Sequence, residues 1–374
     1  MSLHDLIVSR IRARGPMTVA EFMSLALYHP DYGYYARASR RSGRDGDFFT
    51  SVDVGPVFGE LLAVQIAEMW RLLGSPPSFD LVEAAAGDGR LARDVLDAMR
   101  EEAPACYAAL RLHLVETSAT ARGAQGDTLG PHLRCLVWSD ASLPPQIAGV
   151  VLANELLDAL PVHAVVHRAD GLREIRVGEA DGRLVEVERE PSTSELEAYL
   201  TRVGAALEVG GRAEVGLEME RWFSSVGTQL TRGFLVAIDY GHEAAELYSA
   251  AHGAGTLTAY RRHTQQDSPM TWLANPGEQD LTAHVDLTGA RLAAARAGLT
   301  SLTTLDQTYF LLGLGAAERL GRSTGNPVAD LKHRLALKTL LLPGGLGSTH
   351  KVMIFGKDVG RPTLRAMSFR ERLT

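Results

Sequence analysis

The residues able to do chemistry gather at the ends of short apolar runs. Glu83-Ala84-Ala85-Ala86-Gly87-Asp88-Gly89-Arg90 closes the run that starts at Asp80, and a helical stretch opens near Leu91. Small residues and glycines let a chain turn sharply and let backbone approach a ligand with no Cβ in the way. Leu114-Val115-Glu116 ends the next run, 29 residues after Gly87, and a carboxylate there can accept both hydroxyls of a ribose. Trp138-Ser139-Asp140 ends a third run, offering an aromatic face and an acceptor for an adenine amino group. Asn154-Glu155 ends a fourth, with Asp158 three residues on. Taken singly, Asp140 reads as a solvated turn residue, and Glu155 and Asp158 read as anions at a helix start, where the dipole favours them.

An acidic residue after a second strand serves a dinucleotide as well as other nucleosides, so Glu116 alone does not choose the ligand. Gly87, Gly89 and Ala92 formally match the dinucleotide pattern of glycines tuned to a pyrophosphate. Asp88 would then stand beside the pyrophosphate, which is unfavourable. Glu83 suits a sulfonium and ammonium ligand better than a diphosphate. The loop therefore points to S-adenosylmethionine, with contacts expected from Glu83, Gly87, Gly89, Glu116, Asp140 and Asn154.

The elements that must hold these residues alternate. Apolar runs at Asp80 to Ala84, Arg111 to Val115, Arg134 to Val137, Gly149 to Ala153 and Gly233 to Ile238 are interleaved with helical stretches. Such alternation implies βαβ units: a doubly wound, mostly parallel α/β sheet with its ligands at the carboxyl ends of the strands. Between Pro161 and Arg232, alternating segments are separated by Asp170-Gly171 and Asp181-Gly182, a hairpin signal, so an α+β insertion is expected at about 161–232. Upstream, Thr18 and Glu21 have the spacing of a capping box, and a helix is expected from Pro56 to Leu73. The expected division is an N-terminal helical cap and lid at 1–76 and a catalytic domain at 77–374, with the insertion recognising substrate.

A net charge of −7 argues against a general nucleic-acid binder, since phosphate binding rests on Lys and Arg. Cys106 and Cys135 are the only cysteines and read as buried thiols. His29, His263 and His284 are dispersed without ligand spacing, so no metal site is expected. No apolar run approaches the roughly 20 residues of a membrane span, and Met1 to Arg14 lacks a signal-peptide core, so a cytoplasmic protein is expected. Arg37, Arg40, Arg41 and Arg44 read as a solvated lid.

Further motifs carry a family resemblance. They are Ala26-Leu27-Tyr28-His29-Pro30 with Gly33-Tyr34-Tyr35, Gly46-Asp47-Phe48-Phe49-Thr50-Ser51 with Val57-Phe58-Gly59-Glu60, and Asn154-Glu155-Leu156-Leu157-Asp158-Ala159-Leu160-Pro161. Asp239-Tyr240-Gly241, Gly255-Thr256-Leu257, Tyr260-Arg261 and the segment Asp280 to Asp286 follow in order. Together they resemble the MidA-like family of S-adenosylmethionine-dependent methyltransferases, related to the mitochondrial complex I assembly factor that methylates an arginine. The family's glycine loop reads closer to E-L-G-P-G-x-G-T. The resemblance implies a class I (Rossmann-like) methyltransferase fold, with Asp47, Thr50 and Ser51 folding over the methionine end of the cofactor. It also implies a protein arginine acceptor, for the mitochondrial relatives a respiratory complex I subunit. A guanidinium stays protonated, with a pKa above about 12, and wants carboxylates that bind its fork bidentately. Asn154, Glu155 and Asp158 are the residues expected to hold it. Other readings are a small-molecule methyltransferase, a non-catalytic S-adenosylmethionine-binding assembly factor, and, least favoured, a dinucleotide oxidoreductase.

Overall fold

The structure is a computed structural model, and it describes residues 2–37, 50–261, 264–265, 271–321, 325–342 and 346–369. The chain folds as two compact units. One comprises Met1–Phe48, Leu157–Ser224 and Gly241–Ala293, and the other Phe49–Leu156, Ser225–Tyr240 and Ala294–Thr374.

The second unit is built on a large sheet. Its strands are β1 Phe79–Ala84, β2 Leu110–Val115, β3 Leu136–Asp140, β4 Ile147–Asn154, β5 Leu230–His242, β6 Thr300–Asp306 and β7 His350–Lys357. The last two residues of β5 belong to the first unit. The spatial order is β6-β7-β5-β4-β1-β2-β3. From β3 to β5 every neighbouring pair is parallel, while β7 runs antiparallel to both β5 and β6. The chain leaves β1 for β2 and β3 on one side, then returns to β4 on the other. A crevice therefore opens at the carboxyl end of β1, where such sheets take their ligands. The inner strands β1 and β4 are buried along nearly their whole length, as strands covered on both faces of a parallel sheet are, while the edge strand β3 is half-exposed. Phe58, Leu61 and Leu62 of the helix Val57–Leu72 join Leu91, Val95 and Leu96 of Arg90–Glu102 and Phe79 and Leu81 of β1 in one core.

Two expectations change here. The third strand starts at Leu136 rather than Arg134, because Gly130-Pro131 opens a 3-10 turn that runs to Cys135; proline is preorganised for such a start. The division at residue 76 also differs from the observed grouping. The helix Val57–Leu72 lies in the second unit because its apolar stripe is part of that core.

The first unit carries an antiparallel sheet in the order Met17–Thr18, Gly171–Ala180, His163–Arg168, Arg212–Val215, with Arg183–Arg189 paired to Gly171–Ala180. The expected insertion at 161–232 thus supplies most of this sheet without standing alone. A half-apolar sheet needs cover, and the helices Leu3–Arg14 and Val19–Tyr28 give it: Ile7, Phe22 and Met23 pack with Val166, Ile175 and Val177. The Thr18–Glu21 capping box forms, with Glu21 N–H donating to Thr18 Oγ1 at 3.1 Å and Thr18 N–H to Glu21 Oε2 at 2.8 Å. Both cysteines are buried and free. Among the described residues no helix is long and apolar enough to cross a membrane.

Two glycines, Gly149 and Gly233, allow close approach of neighbouring strands at the start of β4. Gly149 of β4 pairs with Asp80 of β1, and a Cβ on it would lie 2.0 Å from the Asp80 carbonyl oxygen. Gly149→Ala should therefore lower stability by about 1–3 kcal/mol through overpacking. Gly123→Ala, on a helix with nothing within 4 Å of the new methyl, should raise it by about 0.4–1 kcal/mol. Urea midpoints check both signs.

Candidate active site

At the carboxyl end of β1 the chain turns through left-handed backbone, with φ of 59° at Ala85, 54° at Gly87 and 86° at Gly89. Glycine takes such angles freely, whereas an alanine there costs about 1–2 kcal/mol. Ala85 occupies the position where the family loop has its first glycine, so the loop keeps its shape at an energetic cost. Among the described residues, apart from its chain neighbours, no atom lies within 4 Å of where a Gly87 Cβ would be, which leaves that side of the backbone uncovered by them.

The loop is held from the neighbouring strands. Glu116, buried at the end of β2, accepts the Gly87 N–H at 2.9 Å on Oε2 and the Ser118 N–H at 2.7 Å on Oε1. A carboxylate offers about four acceptor positions; the Thr117 hydroxyl also reaches Oε1, at 3.4 Å, which leaves one position open to a diol and a second held only by that long contact. Gln125 donates to the Gly87 carbonyl at 3.0 Å and accepts from Ser139 Oγ at 2.7 Å, joining loop, helix and β3. Asp140 at the end of β3 is exposed and accepts from the Ser142 N–H and hydroxyl at 3.1 and 2.9 Å. Those bonds hold its carboxyl below the usual range.

Thr50 joins the loop through Asp53. Asp53 Oδ2 accepts from Thr50 N–H and Oγ1 at 3.0 Å each, and its Oδ1 accepts from Arg90 at 2.8 Å. Ser51 is buried against Gln307, 3.1 and 3.2 Å away. Asp47 lies outside the described residues, as do Arg40, Arg41, Arg44 and His263. The Arg90–Asp53 pair and Gln125 were not singled out by sequence; an arginine directly after a glycine loop was the one visible signal.

Glu83 and Asn154 form the interior of the site. Glu83 is buried in β1, and burial pushes its carboxyl up to about 8; the Ala92 N–H opposes this, while Asp88, Asp94 and Glu116 add to it. Its Oε2 and the Oδ1 of Asn154 are buried with no hydrogen-bond partner among the described residues. Orphaned buried acceptors are costly and mark places where a donor from elsewhere fits. Asn154 Nδ2 donates to Glu155 Oε1 at 3.3 Å. Glu155 itself has φ 50°, its N–H donating to the Ile238 carbonyl at 2.8 Å, and its carboxylate stands 3.8 Å from His350 Nε2. No helix follows: residues 155–160 form turns, so a helix-capping role for Glu155 and Asp158 does not apply.

Asp158 belongs to the first unit and is buried there. Its charge, with that of Asp280, raises the hydroxyls of Tyr35 and Tyr260, on top of burial. Tyr35 donates to Asp280 at 3.0 Å, and its ring centroid is 5.4 Å from that of Tyr28. The same unit corrects the view of dispersed histidines. His284 lies with His242 and His252, three residues with nitrogens within 4.8 Å of one another. Burial and the two neighbouring rings push His284 down to about 4.

Residues 61–305 match the family described as "Putative S-adenosyl-L-methionine-dependent methyltransferase". The chain belongs to this family. It is 30% identical over 388 residues to the mitochondrial "Protein arginine methyltransferase NDUFAF7 homolog" of Drosophila melanogaster, covering 94% of this chain and 84% of that one. The human mitochondrial "Protein arginine methyltransferase NDUFAF7" is 28% identical, over 84% of this chain and 73% of its own. A Burkholderia thailandensis protein with S-adenosyl-homocysteine bound in its crystal structure superposes with a TM-score of 0.89 at 29% identity, covering 98% and 94% of the two chains. This protein is thus an S-adenosylmethionine-dependent methyltransferase. For a methyltransferase cofactor the fit is chemical: a cation with ammonium and hydroxyl donors matches a loop that is open at Gly87 and surrounded by acceptors.

Proposed function

We propose that this methyltransferase transfers a methyl group to an arginine side chain of a partner protein, with a subunit of a respiratory complex as the partner class implied by resemblance. The observation that carries the reading is Glu155, a non-glycine residue fixed in left-handed backbone at the end of β4 beside Asn154. Such outliers are retained where a side chain must be aimed. The names of the relatives support arginine as acceptor.

In this reading Glu116 accepts the ribose hydroxyls, Gly87 and Gly89 let the backbone close on the nucleoside, and Asp140 accepts from the base. Glu83 and the Asn154 carbonyl face the cationic amino-acid end, and Thr50 and Ser51 line its approach. When bound, S-adenosylmethionine supplies a methyl group already activated on a sulfonium. What remains for the chain is to hold the acceptor in line and exclude water. Glu155 accepts from the guanidinium fork and orients one nitrogen, and it can take the proton which that nitrogen loses.

The Glu83 assignment gives a pH signature. Below about 8 the free protein holds Glu83 protonated, whereas a cation beside it favours the ionised form, so binding expels a proton. Affinity for S-adenosylmethionine should rise with pH between 5.5 and 7.5, by up to about tenfold per unit, and the rise should vanish in Glu83→Gln. Comparing the two proteins cancels the ligand's own titration. A slope unchanged in the variant contradicts the assignment.

For the acceptor, methylarginine should be mapped by mass spectrometry in cells with and without the gene. One or more marks should disappear on deletion, return with the wild-type gene, and stay absent with Glu155→Gln. Deletion that leaves every methylarginine in place contradicts arginine as acceptor. Full restoration by Glu155→Gln contradicts the role of that carboxylate.

A further inference from the structure

His242 ends β5, His252 closes the 3-10 turn Ala250–His252, and His284 precedes the short strand Val285–Asp286. Their ring centroids are 4.8 Å apart for His242 and His252, 5.2 Å for His242 and His284, and 6.0 Å for His252 and His284. One nitrogen of each lies within 4.8 Å of the other two. Three atoms so spaced stand no more than about 2.8 Å from a common centre, against roughly 2.0–2.1 Å for a zinc–imidazole bond. Ring rotations of under about an ångström close that gap.

The surroundings decide which nitrogens are offered. His252 Nδ1 is 3.1 Å from the Glu246 carbonyl oxygen. A carbonyl only accepts, so Nδ1 carries the hydrogen and the neutral ring presents its lone pair at Nε2. His242 Nδ1 is 3.0 Å from the Glu246 carboxylate, which likewise leaves Nε2 as the donor. One residue thus orients two rings by the carbonyl and carboxylate contacts that usually stand behind metal-ligating histidines. Imidazole nitrogens favour zinc and its neighbours over magnesium or calcium. We propose that His242, His252 and His284 bind one divalent transition-metal ion of the zinc type, with a fourth position open to water. Bound there, the ion ties the 243–257 segment to the strand Val285–Asp286 of the same unit as a structural clamp.

The test uses the full chain, stripped with chelator and titrated with Co2+ as an optical probe. One equivalent should bind, with the visible absorption of a low-coordinate nitrogen site. The signal should be lost in His252→Ala and kept in His4→Ala. Glu246→Gln should weaken binding about 10–100-fold, the usual cost of losing an outer carboxylate. Excess Zn2+ should raise the Tm of the wild type and leave that of His252→Ala unchanged. If His252→Ala does not fold, His252→Gln takes its place with the same expectation. Absence of saturable binding, or a signal that survives in a folded variant lacking His252, overturns the proposal.

Discussion

The bond from the Gly87 N–H to the Glu116 carboxylate is the contact on which the site depends. It joins the turn after β1 to the end of β2, and Glu116 holds the Ser118 N–H as well. Without it, a loop with an alanine at φ 59° would relax toward ordinary backbone, because the left-handed region is favourable only to glycine. The carboxylate is buried, and the amides that satisfy it come from the turn after β1, at Gly87, and from the start of the helix after β2, at Ser118. Loop geometry is therefore set largely by one group, and the parallel pairing of β1 with β2 and β4 places that group at the switch point.

Around this contact the second unit gathers the carboxylates of Glu83, Asp88, Asp94 and Glu116. Glu83 responds by holding its proton up to about 8, since a buried carboxylate is expensive unless paired. Arg90 is committed to Asp53, Arg93 to Asp94 and Arg122 to the Glu116 carbonyl. The interior is left with acceptors, Glu83 and Asn154, that a cationic ligand satisfies and a diphosphate does not. That asymmetry separates a sulfonium cofactor from a dinucleotide on a loop whose glycines match both.

Much of this was legible in the sequence. The strands of the parallel sheet announced themselves by apolar runs ending in Glu83, Glu116 and Asn154, and the hairpins by Asp-Gly. The third strand was placed too early because Cys135 joins Leu136 and Val137 in one apolar run, although the 3-10 turn opened by Gly130-Pro131 holds Arg134 and Cys135. The unit boundary was not legible, since Phe58 and Leu61 look the same in a helical cap as in the core they join with Phe79. Gln125 and the Arg90–Asp53 pair act through contacts 37 or 38 residues distant in sequence, which no local spacing encodes. The histidine cluster was missed for the same reason: His242, His252 and His284 fit no ligand motif, and the folds of three separate segments bring them together.

Calorimetric titration with S-adenosylmethionine, comparing the wild type with Glu116→Ala and with NAD as a control ligand, tests the account most directly. The account predicts saturable binding to the wild type, loss of that binding in Glu116→Ala with the fold intact by circular dichroism, and no heat from NAD. Undiminished binding to a folded Glu116→Ala protein, or preference for NAD, would contradict it.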